Sequence, residues 1–84
     1  MDKIEIKIAQ TMASVFAIPC EQITQETTQR NIETWDSLKH LDLIVALEEE
    51  FNITFPIEEI GNLTIFSLIA MIIKEQLQND NYSN

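Results

Sequence analysis

"DSLKHLDLIVALEEEF", residues 36–51, decides the fold. Projected at about 100° per residue, Leu43, Ile44, Leu47 and Phe51 share one face, the width of a core-facing helical stripe. Leu38, Leu41 and Val45 fall on a neighbouring arc at i, i+3 and i+7. Asp42, Glu48 and Glu49 flank that second arc. Both arcs could be core, or the second could be an exposed apolar patch rimmed by acids, the arrangement of a docking surface. Spacing alone leaves both readings open. The helix itself is expected over residues 37–51, with Asn52 ending it.

Working outward, residues 2–17 carry Ile4, Ile8, Met12, Val15 and Phe16 at helical spacing. This predicts a first helix, with Asp2 and Glu5 near its positive end and Pro19 stopping it. Ile6 falls off the stripe. Residues 18–36 form a long polar connection in which Ile18, Ile23, Ile32 and Trp35 recur as if pinning it to a core. Connections of this length in a compact domain usually serve a function. After the second helix, Pro56 suits the first turn of a short helix ending before Gly61. Thr64 is expected to cap a last helix whose core stripe is Ile65, Leu68, Ile69, Ile72 and Ile73, with Phe66 and Met71 outside it. The expected fold is all-α, a small bundle of three main helices plus one short one.

The chain has 84 residues, one domain's length, with one glycine and two prolines. Its 14 acidic and 5 basic side chains give a net charge of -9, which repels phosphate backbones and argues against nucleic acid. The same charge favours partners with basic docking surfaces. Cys20 is the only cysteine, so no intrachain disulfide forms, and one Cys with one His makes no zinc site. The longest apolar run, "LIAMII" (68–73), is far too short to span a bilayer.

Ser37 sits at the seam between the acidic loop and the apolar helix. A nucleophile would pair with His40 three residues on. That chemistry also needs a group orienting the histidine and a preformed oxyanion site, and there is no GxSxG elbow. Helix capping is the ordinary role for D-S before an apolar helix. A third role is attachment of an anionic group, since a phosphate ester there would meet free N–H groups and the positive end of the helix dipole. The pattern favours the last two over catalysis and leaves both standing.

"DSLKHLDLIVALEEEFNITFP" resembles the acyl carrier protein signature, in which D-S-L opens the second helix and an ALEEEF-like segment closes it. The resemblance extends over nearly the whole chain, through the loop "IPCEQITQET" and the segment "PIEEIGNL" to the helix after Thr64. It implies a four-helix carrier domain over residues 1–78 and a polar, disordered tail over 79–84. It implies a stand-alone carrier, not an enzyme, holding acyl groups as thioesters on 4′-phosphopantetheine for fatty-acid, polyketide or related biosynthesis. Ser37 would carry that arm, added from coenzyme A by a phosphopantetheinyl transferase. Asp36 would assist the transfer through the enzyme's magnesium. Leu38, Leu41 and Val45 match apolar recognition positions. Asp42, Glu48 and Glu49 match acids that pair with basic residues of acyl-transferring or condensing enzymes. Cys20 is not the cargo thiol.

Two departures stand out. Thr34 and Trp35 replace the glycine and small residue that many fatty-acid carriers have before D-S-L, and "WDSL" resembles carriers of specialised pathways. Lys39 replaces an acid, opposing the macrodipole by about 0.3–1 kcal/mol and repelling a basic partner. An aminoacyl or peptidyl carrier of the same fold is the nearest alternative, and an unmodified helical interaction module the rival of another class. A cytoplasmic monomer is expected, with Phe66 and Met71 leaving a weak dimer open. If cargo enters the bundle, the expected space lies near Leu47, Phe55 and Ile60.

Overall fold

A computed structural model of the chain describes the backbone of residues 1–83 and the side chains of residues 1–78. The chain order is α1 (Lys3–Phe16), two 3₁₀ turns (Cys20–Gln22 and Gln29–Asn31), α2 (Ser37–Phe51), α3 (Ile57–Ile60) and α4 (Phe66–Ser83). The architecture is thus the expected helical bundle of three main helices and one short one. The side chains of the polar end, 79–84, lie outside the described residues.

Helix α1 begins with a reciprocal cap. The Asp2 carboxylate accepts from the Glu5 N–H at 2.8 Å, and the Glu5 carboxylate accepts from the Asp2 N–H at 3.0 Å. It ends two residues earlier than a proline stop requires. Ala17, in the left-handed region at φ 57° and ψ 48°, turns its N–H back to the Ala13 carbonyl. The stripe of α1 buries Ile8, Met12 and Phe16 completely, packing chiefly on α2 and also on α4. Ile6 is exposed, as its phase dictates.

The long connection is ordered by the residues that punctuate it. Ile23, Ile32 and Trp35 are buried, and Ile18 is half-buried. Thr27 is buried as well; its hydroxyl accepts from the Thr24 N–H at 2.8 Å. Where this loop meets the start of α4, Thr28 and Ile65 form an antiparallel bridge, with Gln29 N–H donating to the Thr64 carbonyl and Phe66 N–H to the Thr27 carbonyl.

That bridge corrects the expected start of the last helix. Thr64 does not cap it, because Thr64 and Ile65 run extended alongside the loop; the helix opens at Phe66. The phase of the core stripe moves accordingly. Phe66 is fully buried and Ile65 is exposed, the reverse of the expectation, while Ile69 and Ile73 hold their core positions and Met71 stays outside. The residues named for the expected apolar space belong to the core. Leu47 and Phe55 are buried in the common core, and Ile60 packs against it.

Candidate functional site

Helix α2 starts where the sequence suggested, and the start divides the labour between Asp36 and Ser37. Asp36 is the cap: its Oδ1 accepts from the Lys39 N–H at 2.8 Å, and its carbonyl accepts from His40 N–H at 2.8 Å. Ser37 is therefore the first helical residue. Its side chain is exposed and makes no hydrogen bond among the described residues. The N–H groups of Ser37 and Leu38 have no acceptor within the helix, as at any helix start.

The two arcs of α2 separate cleanly. Leu43, Ile44 and Leu47 are in the core, whereas Leu38, Leu41 and Val45 are 75%, 56% and 53% exposed. The second arc therefore faces solvent, and the all-core reading does not hold. Asp42 and Glu49 are exposed beside the arc. Glu48 is half-buried, and its Oε2 accepts from the Phe55 N–H at 2.8 Å, tying the α2–α3 connection to α2. Another strongly exposed apolar side chain lies on α3, where Ile57 is 85% exposed. Its isolated position in "PIEEI" gave no periodic signal, because α3 is a single turn.

A second feature is barely visible in the sequence. The Trp35 indole N–H donates to His40 Nδ1 at 3.0 Å, and His40 Nε2 lies 2.7 Å from the Ile60 carbonyl. Since Nδ1 accepts, the ring proton sits on Nε2 and is donated to Ile60. Trp35 stacks on Phe16 with ring centroids 4.8 Å apart, whereas the Trp35 and His40 rings lie edge to edge along their hydrogen bond, with centroids 6.1 Å apart and planes 20° apart. The available clue was the single Trp five residues before the single His, one needing an acceptor for its buried N–H and the other able to supply it.

On the other side of the seam an open groove of about 750 Å³ runs beside Asp36, lined by Ile18, Gln22, Asn31, Ile32, Glu33 and Thr34. Thr34 braces it from beneath, its hydroxyl donating to the Phe16 carbonyl at 2.8 Å.

A small acidic bundle with an unengaged serine at a helix start, beside an exposed apolar arc, has the form of a carrier domain rather than a catalyst. The family profile described as "Phosphopantetheine attachment site" matches residues 7–78. The acyl carrier protein of Buchnera aphidicola subsp. Baizongia pistaciae is 40% identical over 75 residues, 89% of this chain and 96% of that protein. That of Saccharopolyspora erythraea is 44% identical over 52 residues, 60% of this chain and 55% of that protein. This chain belongs to the phosphopantetheine-bearing acyl carrier protein family. Its members are carriers, not enzymes, and their prosthetic group is covalent 4′-phosphopantetheine. They interact with a phosphopantetheinyl transferase and with biosynthetic enzymes. Among the described residues no helix is long and apolar enough to cross a membrane.

The seam suits that group. A phosphate ester on Ser37 would meet the N–H groups of Ser37 and Leu38 at the positive end of α2, and the nearest acid, the capping Asp36, already accepts the Lys39 N–H with one oxygen.

Proposed function

We propose that Ser37 is the attachment residue and that the protein carries acyl groups on the arm held there. The observation that carries this is the division at the helix start: Asp36 provides the cap, so the Ser37 hydroxyl is exposed and uncommitted. In the transfer, Ser37 Oγ forms a new bond to the pantetheine phosphate. The pyrophosphate linkage of coenzyme A breaks, the adenine nucleotide leaves, and the hydroxyl proton passes to a base of the transferase. Asp36, which gives only Oδ1 to the Lys39 N–H, keeps its second carboxylate oxygen for the transferase's magnesium.

Once loaded, the arm ends in a thiol that holds cargo as a thioester. Leu38, Leu41, Val45 and Ile57 supply the apolar part of a docking surface, with Asp42, Glu48 and Glu49 at its rim. Net charge of -9 supports partners with basic faces and brief, salt-sensitive contacts. The names of the two relatives favour acyl over aminoacyl cargo. The chain would work as a cytoplasmic monomer in fatty-acid, polyketide or related biosynthesis. Intact mass after incubation with coenzyme A, magnesium and a broad-specificity transferase tests the reading. One phosphopantetheine is gained by the wild type and none by Ser37→Ala; an equal gain in both would sink it.

A further inference from the structure

We propose that His40 is a positioning residue, whose two ring nitrogens lock the Ser37 seam and α3 onto α2 as one preformed docking surface; this rests on the reading of that face given above. Three separate pieces of chain make the surface. The loop end brings Asp36, seated on the buried Trp35, α2 brings the exposed arc, and α3 brings the exposed Ile57. The backbone of α2 holds Asp36 through the Lys39 and His40 N–H groups, but not the Trp35 indole or the Ile60 carbonyl at the end of α3.

Helix α3 has four residues, far below the length at which a helix holds itself together in water. Its shape therefore depends on ties to its neighbours. At its far end the Ile60 carbonyl, which also receives the Leu63 N–H at 3.3 Å, takes the His40 Nε2–H at 2.7 Å. The ring thus caps the short helix from outside. At the near end the Glu48 carboxylate holds the Phe55 N–H. Two side chains of α2, eight residues apart in sequence, pin the segment at both ends.

The other ring nitrogen faces the seam. Trp35 is 3% exposed, so its N–H depends on His40 Nδ1 for a partner. Its backbone is held too: Trp35 N–H donates to the Ile32 carbonyl at 3.1 Å, and its carbonyl accepts from Gln29 Nε2 at 3.0 Å. Trp35 immediately precedes Asp36, so a shift of the indole moves the cap and the hydroxyl it frees. Phe16 at the end of α1 stacks on the indole of Trp35. One imidazole therefore connects the end of α1, the loop, α2 and α3. Only the neutral ring with its proton on Nε2 can make both bonds at once.

The alternative is that His40 merely fills space. Two substitutions separate the bonds and a third removes both. In His40→Asn the side-chain oxygen lies about where Nδ1 was, keeping the acceptor for Trp35. In His40→Gln the amide nitrogen lies about where Nε2 was, keeping the donor to Ile60. His40→Leu fills the volume with neither.

The experiment measures transferase kinetics with coenzyme A on each variant, after circular dichroism shows it helical, together with nuclear magnetic resonance of the Trp35 indole N–H and the α3 amides. Loss of both hydrogen bonds loosens the seam and α3 before docking, so the KM for His40→Leu is expected to rise roughly fivefold to tenfold, with kcat little changed. His40→Gln restores slow exchange of the Glu59, Asn62 and Leu63 amides. His40→Asn restores the shifted, slowly exchanging indole signal. Each recovers part of the KM.

An unchanged KM in folded His40→Leu overturns the proposal, and so does a raised KM that neither conservative variant improves. If His40→Leu does not fold, the wild-type ring decides: the nitrogen spectrum must show protonated Nε2 and bare Nδ1, and the opposite tautomer overturns the proposal. A wild type that gains no phosphopantetheine sinks the attachment reading, and with it the docking role of His40. The failures are distinguishable, since only that one leaves the wild-type mass unchanged.

Discussion

Glu48 Oε2 accepts the backbone N–H of Phe55 at 2.8 Å, so a carboxylate at the edge of the proposed docking surface also holds the connection to α3 in place. Glu49, its neighbour, is exposed and has no such duty. The two acids should therefore separate folding from docking. Glu48→Ala leaves the Phe55 N–H without its charged acceptor and is expected to cost about 1.5–3 kcal/mol, read as a lower denaturation midpoint. Glu49→Ala is expected to stay within about 0.5 kcal/mol of wild type while weakening association with a basic partner at low salt. Equal midpoints for the two variants would refute this division.

Asp36 and Ser37 divide along different lines. Ser37→Ala removes the hydroxyl proposed to carry the arm but no hydrogen bond, so it should abolish modification with stability changed by less than about 0.5 kcal/mol. Asp36→Ala deletes the cap and is expected to cost about 0.5–2 kcal/mol. Asp36→Asn is the informative variant, because asparagine caps about as well as aspartate. It should melt near the wild-type temperature yet take up phosphopantetheine much more slowly, having lost the charge offered to magnesium. Thermal unfolding and intact-mass time courses read the two effects independently. A normal rate of uptake in Asp36→Asn would remove Asp36 from the transfer step.

What the sequence revealed follows from how each feature is encoded. Helix α2 was legible to the residue, because its apolar pattern is long and a capping aspartate stands in front of it. The burial of Ile23, Ile32 and Trp35 was legible too, since isolated apolar residues in a polar loop have few other uses. The two arcs of α2 were visible, but which one faced water was not; periodicity fixes angles between residues, not the direction of the core. Thr64 misled because a threonine before an apolar run looks like a cap, while the bridge between Thr28 and Ile65 is non-local and leaves no local pattern. The link from Trp35 through His40 to Ile60 was hidden for a similar reason. Its last partner is a backbone carbonyl, which any residue could have supplied.

Ala17 holds φ 57° and ψ 48° at the end of α1, a conformation that costs a residue with a Cβ about 1–2 kcal/mol. Asn52 adopts φ 53° at the end of α2, where asparagine is more tolerant. Ala17→Gly should therefore stabilise the protein by about 1 kcal/mol, after the greater backbone entropy of the unfolded glycine is subtracted. In a domain of this size that corresponds to a melting temperature higher by about 4–8 °C. Asn52→Ala should move the other way by a similar amount. If Ala17→Gly melts at or below the wild type, the strain assigned to Ala17 is absent.

Lys74 binds the Asp2 carboxylate at the start of α1, linking it to α4. The Asp2 carboxyl is held below its ordinary value of 3.8, first by the hydrogen bond from Lys74 and then by that from the Glu5 N–H. Lys74 is raised above its ordinary 10.5 by the same partner. A lowered carboxyl stabilises the fold above its unfolded value and loses that contribution as the pH falls through its lower folded value. A raised amine contributes below its unfolded value and loses the contribution as the pH rises through its higher folded value. The pair is thus fully effective near neutrality. Asp2→Asn keeps a capping oxygen but loses the charge, so it should be less stable than wild type at about pH 7 and nearly equal at about pH 2. Both groups are exposed, so added salt should shrink the difference as well. A gap between the two proteins that persists unchanged in strong acid would contradict the assignment.

Lys39 is the third residue of α2, two positions beyond Ser37, and forms no ion pair among the described residues. Its charge opposes the positive end of the helix and sits on the face proposed to meet basic partners. Lys39→Asp should stabilise the helix start by about 0.3–1 kcal/mol or somewhat more, since an unfavourable charge is replaced by a favourable one. It should also quicken association with partner enzymes that recognise acidic carriers, and make that association fall more steeply with salt. The stability gain and the docking gain have different ranges: the first depends on the nearest turn, the second on the whole face. High salt should therefore bring the association rates of the two proteins together. If a fatty-acid synthase enzyme accepts the wild type at an ordinary rate and Lys39→Asp no faster, Lys39 does not govern partner choice, and the difference between this carrier and those with an acid at that position lies elsewhere on the surface.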